Sequence, residues 1–340
     1  MALKVLITDM RHKSAVEEKR VLEEAGIQLE IGMCETEEEL IEKGRDCAGF
    51  LVSYAPVTRT VLEALPELKV IVKYGIGVDN IDVAAATELG KIVAIVPEPE
   101  IEEVATHALA LLLSGFRMTD FFARMTRRFV WSVHPEEYTV YRLSESKLGL
   151  LGFGRIGRKL AELAAPLFNS ILVYDPYVDD TIIGQYPKCL PVHNVEALFS
   201  QCQGISIHVP LTDTTRGMVN DEVLNLASGL ILVVTSRAGV VEMEAVLRGL
   251  DTGRILFFGA DVFWTEPPDF NDPTVQAIIS HERVMITPHV AWYSTTGESE
   301  LRRQAAEEIK TVLLGGKPRY PVNPEVFARD LTSKEGGTER

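Results

Sequence analysis

Cysteine is scarce in this 340-residue chain. The four, Cys34, Cys47, Cys189 and Cys202, show neither the paired short spacing of a metal site nor the density of a disulfide scaffold. They read as packing residues in a reducing compartment, with no metal expected. Positive charge is also in deficit, 34 Lys and Arg against 49 Asp and Glu, a formal net charge of −15. Such a surface argues against nucleic acid or an anionic membrane as partner and leaves a small molecule. Long apolar runs are missing: the longest, Ala108 to Leu113, is far too short to span a bilayer, and no signal peptide precedes the first apolar segment. These absences together predict a cytoplasmic protein.

What remains is ample for globular cores, with 46% hydrophobic and 24% charged residues. Short apolar segments at 4–9, 28–31, 48–52, 69–74 and 91–95 alternate with polar helical stretches near 14–25, 36–43, 58–64 and 81–89. Strand alternating with helix predicts a parallel sheet covered on both faces, so one α/β unit is complete before residue 100. A long helix begins at Ile101 and carries His107 among mostly apolar neighbours, which reads as a packed, hydrogen-bonded histidine.

The stretch Lys147 to Asp175, KLGLLGFGRIGRKLAELAAPLFNSILVYD, reads as strand, glycine turn, helix and second strand. Gly152, Gly154 and Gly157 form GxGxxG: the first permits the turn, the second lets backbone approach a pyrophosphate, and the third lets helix pack on strand. Arg155 and Ile156 open the helix whose free N–H groups would hold phosphate. Asp175 ends the next strand, where a carboxylate accepts from a ribose 2′-hydroxyl, and no Arg follows it to take a 2′-phosphate. NAD is the expected cofactor, in preference to NADP. Further strands are expected at 204–209, 230–235, 255–262 and 284–287, separated by helices at 194–202, 221–226 and 243–253, and a last helix at 296–313 returns to the first unit. The fold class is therefore α/β, with two parallel-sheet domains of Rossmann-like or flavodoxin-like kind, the cofactor domain inserted into the other.

Ligands of such sheets lie beyond the carboxyl ends of the strands. Those ends supply Arg237, Asp261, Glu266 and His289. Reduction of a ketone needs a proton donor, and His is suited to it near neutral pH. A carboxylate beside the ring favours the imidazolium and fixes the tautomer, and an Arg grips a substrate carboxylate at two points. Between the two units, residues 116–141 carry Phe121, Phe122, Phe129, Trp131 and Tyr138 among arginines. Such an aromatic and Arg-rich arm predicts a homodimer contact, the alternative being an internal lid over the second unit.

These residues carry a resemblance. Over about residues 3–325 the chain resembles the D-isomer-specific 2-hydroxyacid dehydrogenase family, through YGIGVDNIDV (74–83), LGFGRIGRKLA (151–161), HVPLTDTTRGMV (208–219), VTSRAGVV (234–241), GADVFWTEPP (259–268) and TPHVAWYS (287–294). The resemblance implies an NAD-dependent oxidoreductase interconverting a D-2-hydroxy acid and its 2-oxo acid. Arg237 would bind substrate, Glu266 would be the carboxylate partner and His289 the proton donor. Val209, Pro210, Thr215, Thr235, Ser236 and Asp261 would line the NAD site, and backbone at Ile76 and Gly77 would receive the substrate carboxylate. Tyr54, Ala55 and Trp292 suggest a compact or apolar substrate side chain. Residues 1–100 and 294–330 would form the substrate domain and 101–293 the NAD domain, with 331–340 a disordered tail. The family's Asn-Thr-Ala-Arg-Gly is here Val234-Thr235-Ser236-Arg237-Ala238, and Thr106 replaces a usual Glu. Glu266 stands where formate dehydrogenases carry Gln, which favours 2-hydroxy and 2-oxo acids. No domain is appended after 325, unlike the long phosphoglycerate dehydrogenases, and Trp292 looks like the branch of the C-terminal binding proteins. The alternative implied by that branch is an NAD-gated, corepressor-like binding protein.

Overall fold

The computed structural model describes residues 3–10, 13–132 and 134–327; the tail expected at 331–340 lies outside them. The chain divides into two compact units, one of Met1–Glu100 with Ser294–Arg340 and one of Ile101–Tyr293.

The first unit alternates β1 (Lys4–Ile7), α1 (Val16–Glu23), β2 (Gln28–Ile31), α2 (Glu37–Gly44), β3 (Gly49–Val52), α3 (Arg59–Ala64), β4 (Val70–Lys73), α4 (Val83–Glu88) and β5 (Ile92–Ile95). Its strands are all parallel in the order β2-β1-β3-β4-β5. The central strands read GFLV and VIVK and are buried throughout, because helices cover both faces and leave no side to be polar. Turn chemistry fixes the helix starts: the Thr36 hydroxyl accepts from Glu39 N–H while the Glu39 carboxylate accepts from Thr36 N–H.

The second unit runs α5 (Ile101–Arg117), α6 (Thr119–Arg127), β6 (Lys147–Leu151), α7 (Arg155–Ala164), β7 (Ser170–Tyr174), α8 (Asp180–Ile183) and β8 (Cys189–Pro191). It continues through α9 (Val195–Gln201), β9 (Gly204–Ile207), α10 (Asp221–Leu224), β10 (Leu230–Val234), α11 (Met243–Asp251), β11 (Ile255–Ala260), α12 (Pro273–Ser280) and β12 (Val284–Ile286). Its parallel sheet has the order β12-β11-β10-β9-β6-β7-β8. From β6 the chain steps outward to β7 and β8, then returns to the other side of β6 at β9. The order thus reverses between β6 and β9, which opens a crevice at their carboxyl ends. Strand periodicity sorts β10 between two cores: Ile231 and Val233 go to one cluster, and Leu230, Leu232 and Val234 to the other.

The chain then returns to the first unit as α13 (Thr295–Leu313), which packs on α1, β3 and β4. Its Arg302 guanidinium donates to buried Glu18 through Nε at 3.0 Å and Nη2 at 2.8 Å, and the Tyr74 hydroxyl donates to the same carboxylate at 2.9 Å. Beyond α13, the fully buried Asn323 accepts from Val93 N–H and donates to the Lys91 carbonyl, both at 2.8 Å. Side-chain amides of this kind stand in for a strand partner at the edge of the sheet.

Four elements depart from the reading of the sequence: α6, α8, β8 and α12 were not expected. The edge strand β8 has three residues and ends in proline, so it carries no alternation to read. In α12 the signal was present, since Asp272 caps the helix and Pro273 opens it. The aromatic arm is also not uniform. Phe116 is fully buried and packs edge-on against Phe168 at 5.1 Å and Tyr141 at 6.2 Å, so both ends of 116–141 belong to the core. Phe129 at 98% and Trp131 at 85% exposure are the outward part.

Candidate active site

The glycine turn occupies the β6 side of the crevice. Gly152 has φ +99°, and a Cβ there would lie 2.9 Å from the His208 carbonyl carbon and Val209 nitrogen. A Cβ on Gly157 would lie 2.5 Å from the Gly152 oxygen, so helix α7 touches the turn. Gly154 differs, because a Cβ there would meet no atom within 4 Å. The space in front of it is therefore not filled by the folded chain. Asp175 fixes the turn: Oδ2 accepts from Phe153 N–H at 2.7 Å and Oδ1 from Tyr177 N–H at 2.9 Å. Arg155 is exposed and Ile156 half-buried at the start of α7. Across the crevice, the Thr215 hydroxyl accepts from Thr212 N–H at 2.8 Å and donates to the Pro210 carbonyl at 2.6 Å, shaping the loop after Val209. The hydroxyls of Thr235 and Ser236 at the end of β10 are buried and have no hydrogen-bond partner among the described residues.

The pair expected to do acid-base work follows β11 and β12. His289 Nδ1 lies 2.6 Å from Glu266 Oε2. A carboxylate only accepts, so Nδ1 carries the hydrogen and Nε2 is left for proton transfer. The other Glu266 oxygen accepts from Phe263 N–H at 2.8 Å. Burial pushes the Glu266 carboxyl upward, but the hydrogen bonds from His289 and Phe263, with the charges of His289 and Arg237, hold it below the usual range. Arg237 follows β10 and is half-buried, with Nη1 donating to the Ser236 carbonyl at 2.9 Å.

His289 sits at φ +53°, a left-handed conformation that a non-glycine residue adopts when its surroundings impose it. Asp261, 1% exposed, does the imposing. Its Oδ1 accepts from Val290 N–H at 3.0 Å and from the Thr287 hydroxyl at 2.5 Å, and its Oδ2 accepts from Ala291 N–H at 2.7 Å. Because Thr287 spends its hydrogen on Asp261, His107 Nε2, 2.9 Å from the same hydroxyl, is the donor there. Trp292 closes the loop, its indole N–H donating to the His289 carbonyl at 3.0 Å.

Residues 109–291 match the family model described as D-isomer specific 2-hydroxyacid dehydrogenase, NAD binding domain. The chain belongs to this family. D-3-phosphoglycerate dehydrogenase of Methanocaldococcus jannaschii is 33% identical over 323 residues, 94% of this chain and 59% of that protein. The chain thus spans less than two thirds of that relative. Glyoxylate reductase of Korarchaeum cryptofilum is 35% identical over 294 residues, 84% of this chain and 86% of the relative. Among solved structures, the TT0316 protein of Thermus thermophilus is 29% identical with a TM-score of 0.80, over 94% of this chain and all of that one (100%). These relatives do not single out the C-terminal binding protein branch, and they carry dehydrogenase and reductase names rather than a corepressor one.

The cofactor of a 2-hydroxyacid dehydrogenase of this family is NAD, and the residues present fit it. The open space before Gly154 is where a pyrophosphate needs close backbone approach, and the unpartnered hydroxyls of Thr235 and Ser236 are polar groups awaiting a ligand. Asp261, expected to line the cofactor site, is 1% exposed and positions the His289 loop. His107, read from sequence as a packed histidine, proves to be tied to that same network, and no spacing rule links position 107 to position 287.

The expected substrate contacts of the first unit stand after β3 and β4. Tyr54 is 52% exposed, whereas Ala55 at 3% is a core residue. Their loop is held by Asp9, which accepts from Ser53 N–H at 3.0 Å and Tyr54 N–H at 2.5 Å, and by Asn80, which donates to the Ala55 carbonyl at 2.8 Å. Ile76 and Gly77 are half-buried in the loop after β4. Neither Asp9 nor Asn80 was foreseen.

Proposed function

We propose that the protein is an NADH-dependent reductase of small 2-oxo acids, working reversibly as a D-2-hydroxyacid dehydrogenase. The observation that carries this reading is the 2.6 Å pairing of His289 with Glu266 on a loop whose backbone is held by a buried carboxylate. A protein that only sensed cofactor would have no use for a positioned acid and its partner. NADH, when bound, supplies the hydride. His289 Nε2 delivers the proton to the carbonyl oxygen and takes it back in oxidation. Glu266, held as the anion, keeps Nδ1 protonated and offsets the positive charge of the ring. Arg237 binds the substrate carboxylate, a task its planar fork performs better than an ammonium would. Tyr54, Ala55, Ile76, Gly77 and Trp292 are the remaining proposed substrate contacts, Ala55 through its backbone. Asp175 favours NADH over NADPH by charge.

We further propose a cytoplasmic homodimer that joins through the arm 116–141. The exposure of Phe129 and Trp131 and the four buried free cysteines support that reading. No helix among the described residues is long and apolar enough to cross a membrane. The test of function is NADH oxidation by the purified chain against a panel of glyoxylate, hydroxypyruvate, pyruvate and longer 2-oxo acids. Turnover with at least one, and poor turnover with NADPH, is the expected result. No turnover with any of them, despite NADH binding, would favour the binding-protein alternative.

A further inference from the structure

Few buried side-chain polar atoms lack a hydrogen-bond partner among the described residues: Thr58 Oγ1, Ser206 Oγ, His208 Nε2, Thr235 Oγ1 and Ser236 Oγ. Four of these five stand on β9 and β10 or just beyond their carboxyl ends. The ladder pairs Ile207 with Val234, so His208 and Thr235 are the next two residues, side by side. On its other flank β9 pairs Ile207 with Leu151, and His208 N–H donates to the Leu151 carbonyl at 2.7 Å. That places His208 directly beside Gly152, whose missing Cβ would press on the His208 backbone, and the His208 Cβ lies 3.9 Å from where a Gly157 Cβ would be.

His208 therefore stands at the reversal of strand order, between the glycine turn and the unpartnered Thr235 hydroxyl. The sequence puts it in the strand-end stretch His208 to Leu211 where ligands lie, but gives it no role of its own, since the resemblance names only the Val209 and Pro210 that follow. Burying an imidazole nitrogen without a partner disfavours the fold, and such an atom in a native protein calls for a reason. Strain relief does not supply one, because a leucine would fill the same space without the unmet polar atom.

We infer that His208 is a cofactor-contacting residue, whose ring completes its hydrogen bonding on a hydroxyl of the bound dinucleotide. Burial pushes its pKa down to about 4, so the ring is neutral at working pH. A neutral imidazole has one donor and one acceptor, which matches a hydroxyl, while the phosphates go to the N–H groups at the start of α7. The inference rests on NAD binding by this unit, not on the identity of the 2-oxo acid.

The test compares the full chain with His208→Leu and His208→Asn, reading NADH affinity by calorimetry and thermal melting without cofactor. His208→Leu should melt at or above the temperature of the unaltered protein, because the unmet polar atom is gone, yet bind NADH at least tenfold more weakly. His208→Asn, which keeps a donor and an acceptor, should recover part of that loss. Unchanged NADH affinity in His208→Leu overturns the inference. So does weaker binding matched by a lower melting temperature in both variants, the mark of a ring needed only for folding. Failure of the unaltered chain to bind NADH would instead remove the cofactor reading itself.

Discussion

In the proposed mechanism Glu266 and His289 divide one task between a carboxylate held as its anion and a ring held in one tautomer. The folded-state pKa of Glu266 is depressed, so the pair stabilises the protein fully above the unfolded value of about 4.3. That contribution is lost only as pH falls through the lower folded value. Glu266→Gln keeps the shape and removes the charge that supports a protonated ring. The falling limb of kcat/KM for reduction should then move to lower pH, and oxidation of the hydroxy acid should set in at lower pH than before; profiles measured in both directions check this. If both limbs stay in place, Glu266 does not act through His289. That these two residues would come together was legible in the sequence, because both follow strand ends, where ligand-facing groups of such sheets lie. The work of Asp261 was not, since a strand end says nothing about which way a carboxylate turns, and here it turns inward to three donors.

At the scale of elements, the alternation of strand and helix was readable because buried parallel strands are unbroken apolar runs, as in LILVV of β10. The three-residue β8 and the polar-looking α8 lacked that signal and emerged only in the folded structure, where β8 completes the edge of the sheet. The turn between β6 and α7 separates two glycine roles that sequence alone merges. Gly157→Ala must push against the Gly152 oxygen at 2.5 Å, and it should lower the melting temperature by several degrees with or without NADH. Gly154 has φ −72°, which alanine accepts, and open space before it. Gly154→Ala should leave the apoprotein's melting temperature nearly unchanged while weakening NADH binding about tenfold or more. Differential scanning fluorimetry with and without NADH distinguishes the two; equal effects would mean that both glycines serve packing alone.

For the molecule as a whole, the exposed Phe129 and Trp131 give the proposed dimer a direct test. Replacing both by Glu should place charge in an apolar contact and yield monomers in light scattering, while the unaltered chain runs as a dimer. Identical masses would move the contact elsewhere. The division of the chain has a consequence for its birth on the ribosome. The second unit is continuous and is ready to close as soon as it has emerged. The first is not: α13 packs on β3 and β4, and a Cβ on Gly49 would lie 2.7 Å from its Ile309. At about 5–20 residues per second, roughly 10–40 s separate synthesis of that sheet from arrival of its covering helix. Throughout that interval the nascent sheet has an uncovered apolar face, so its yield in cells should depend on chaperone supply far more than that of the inserted domain expressed alone.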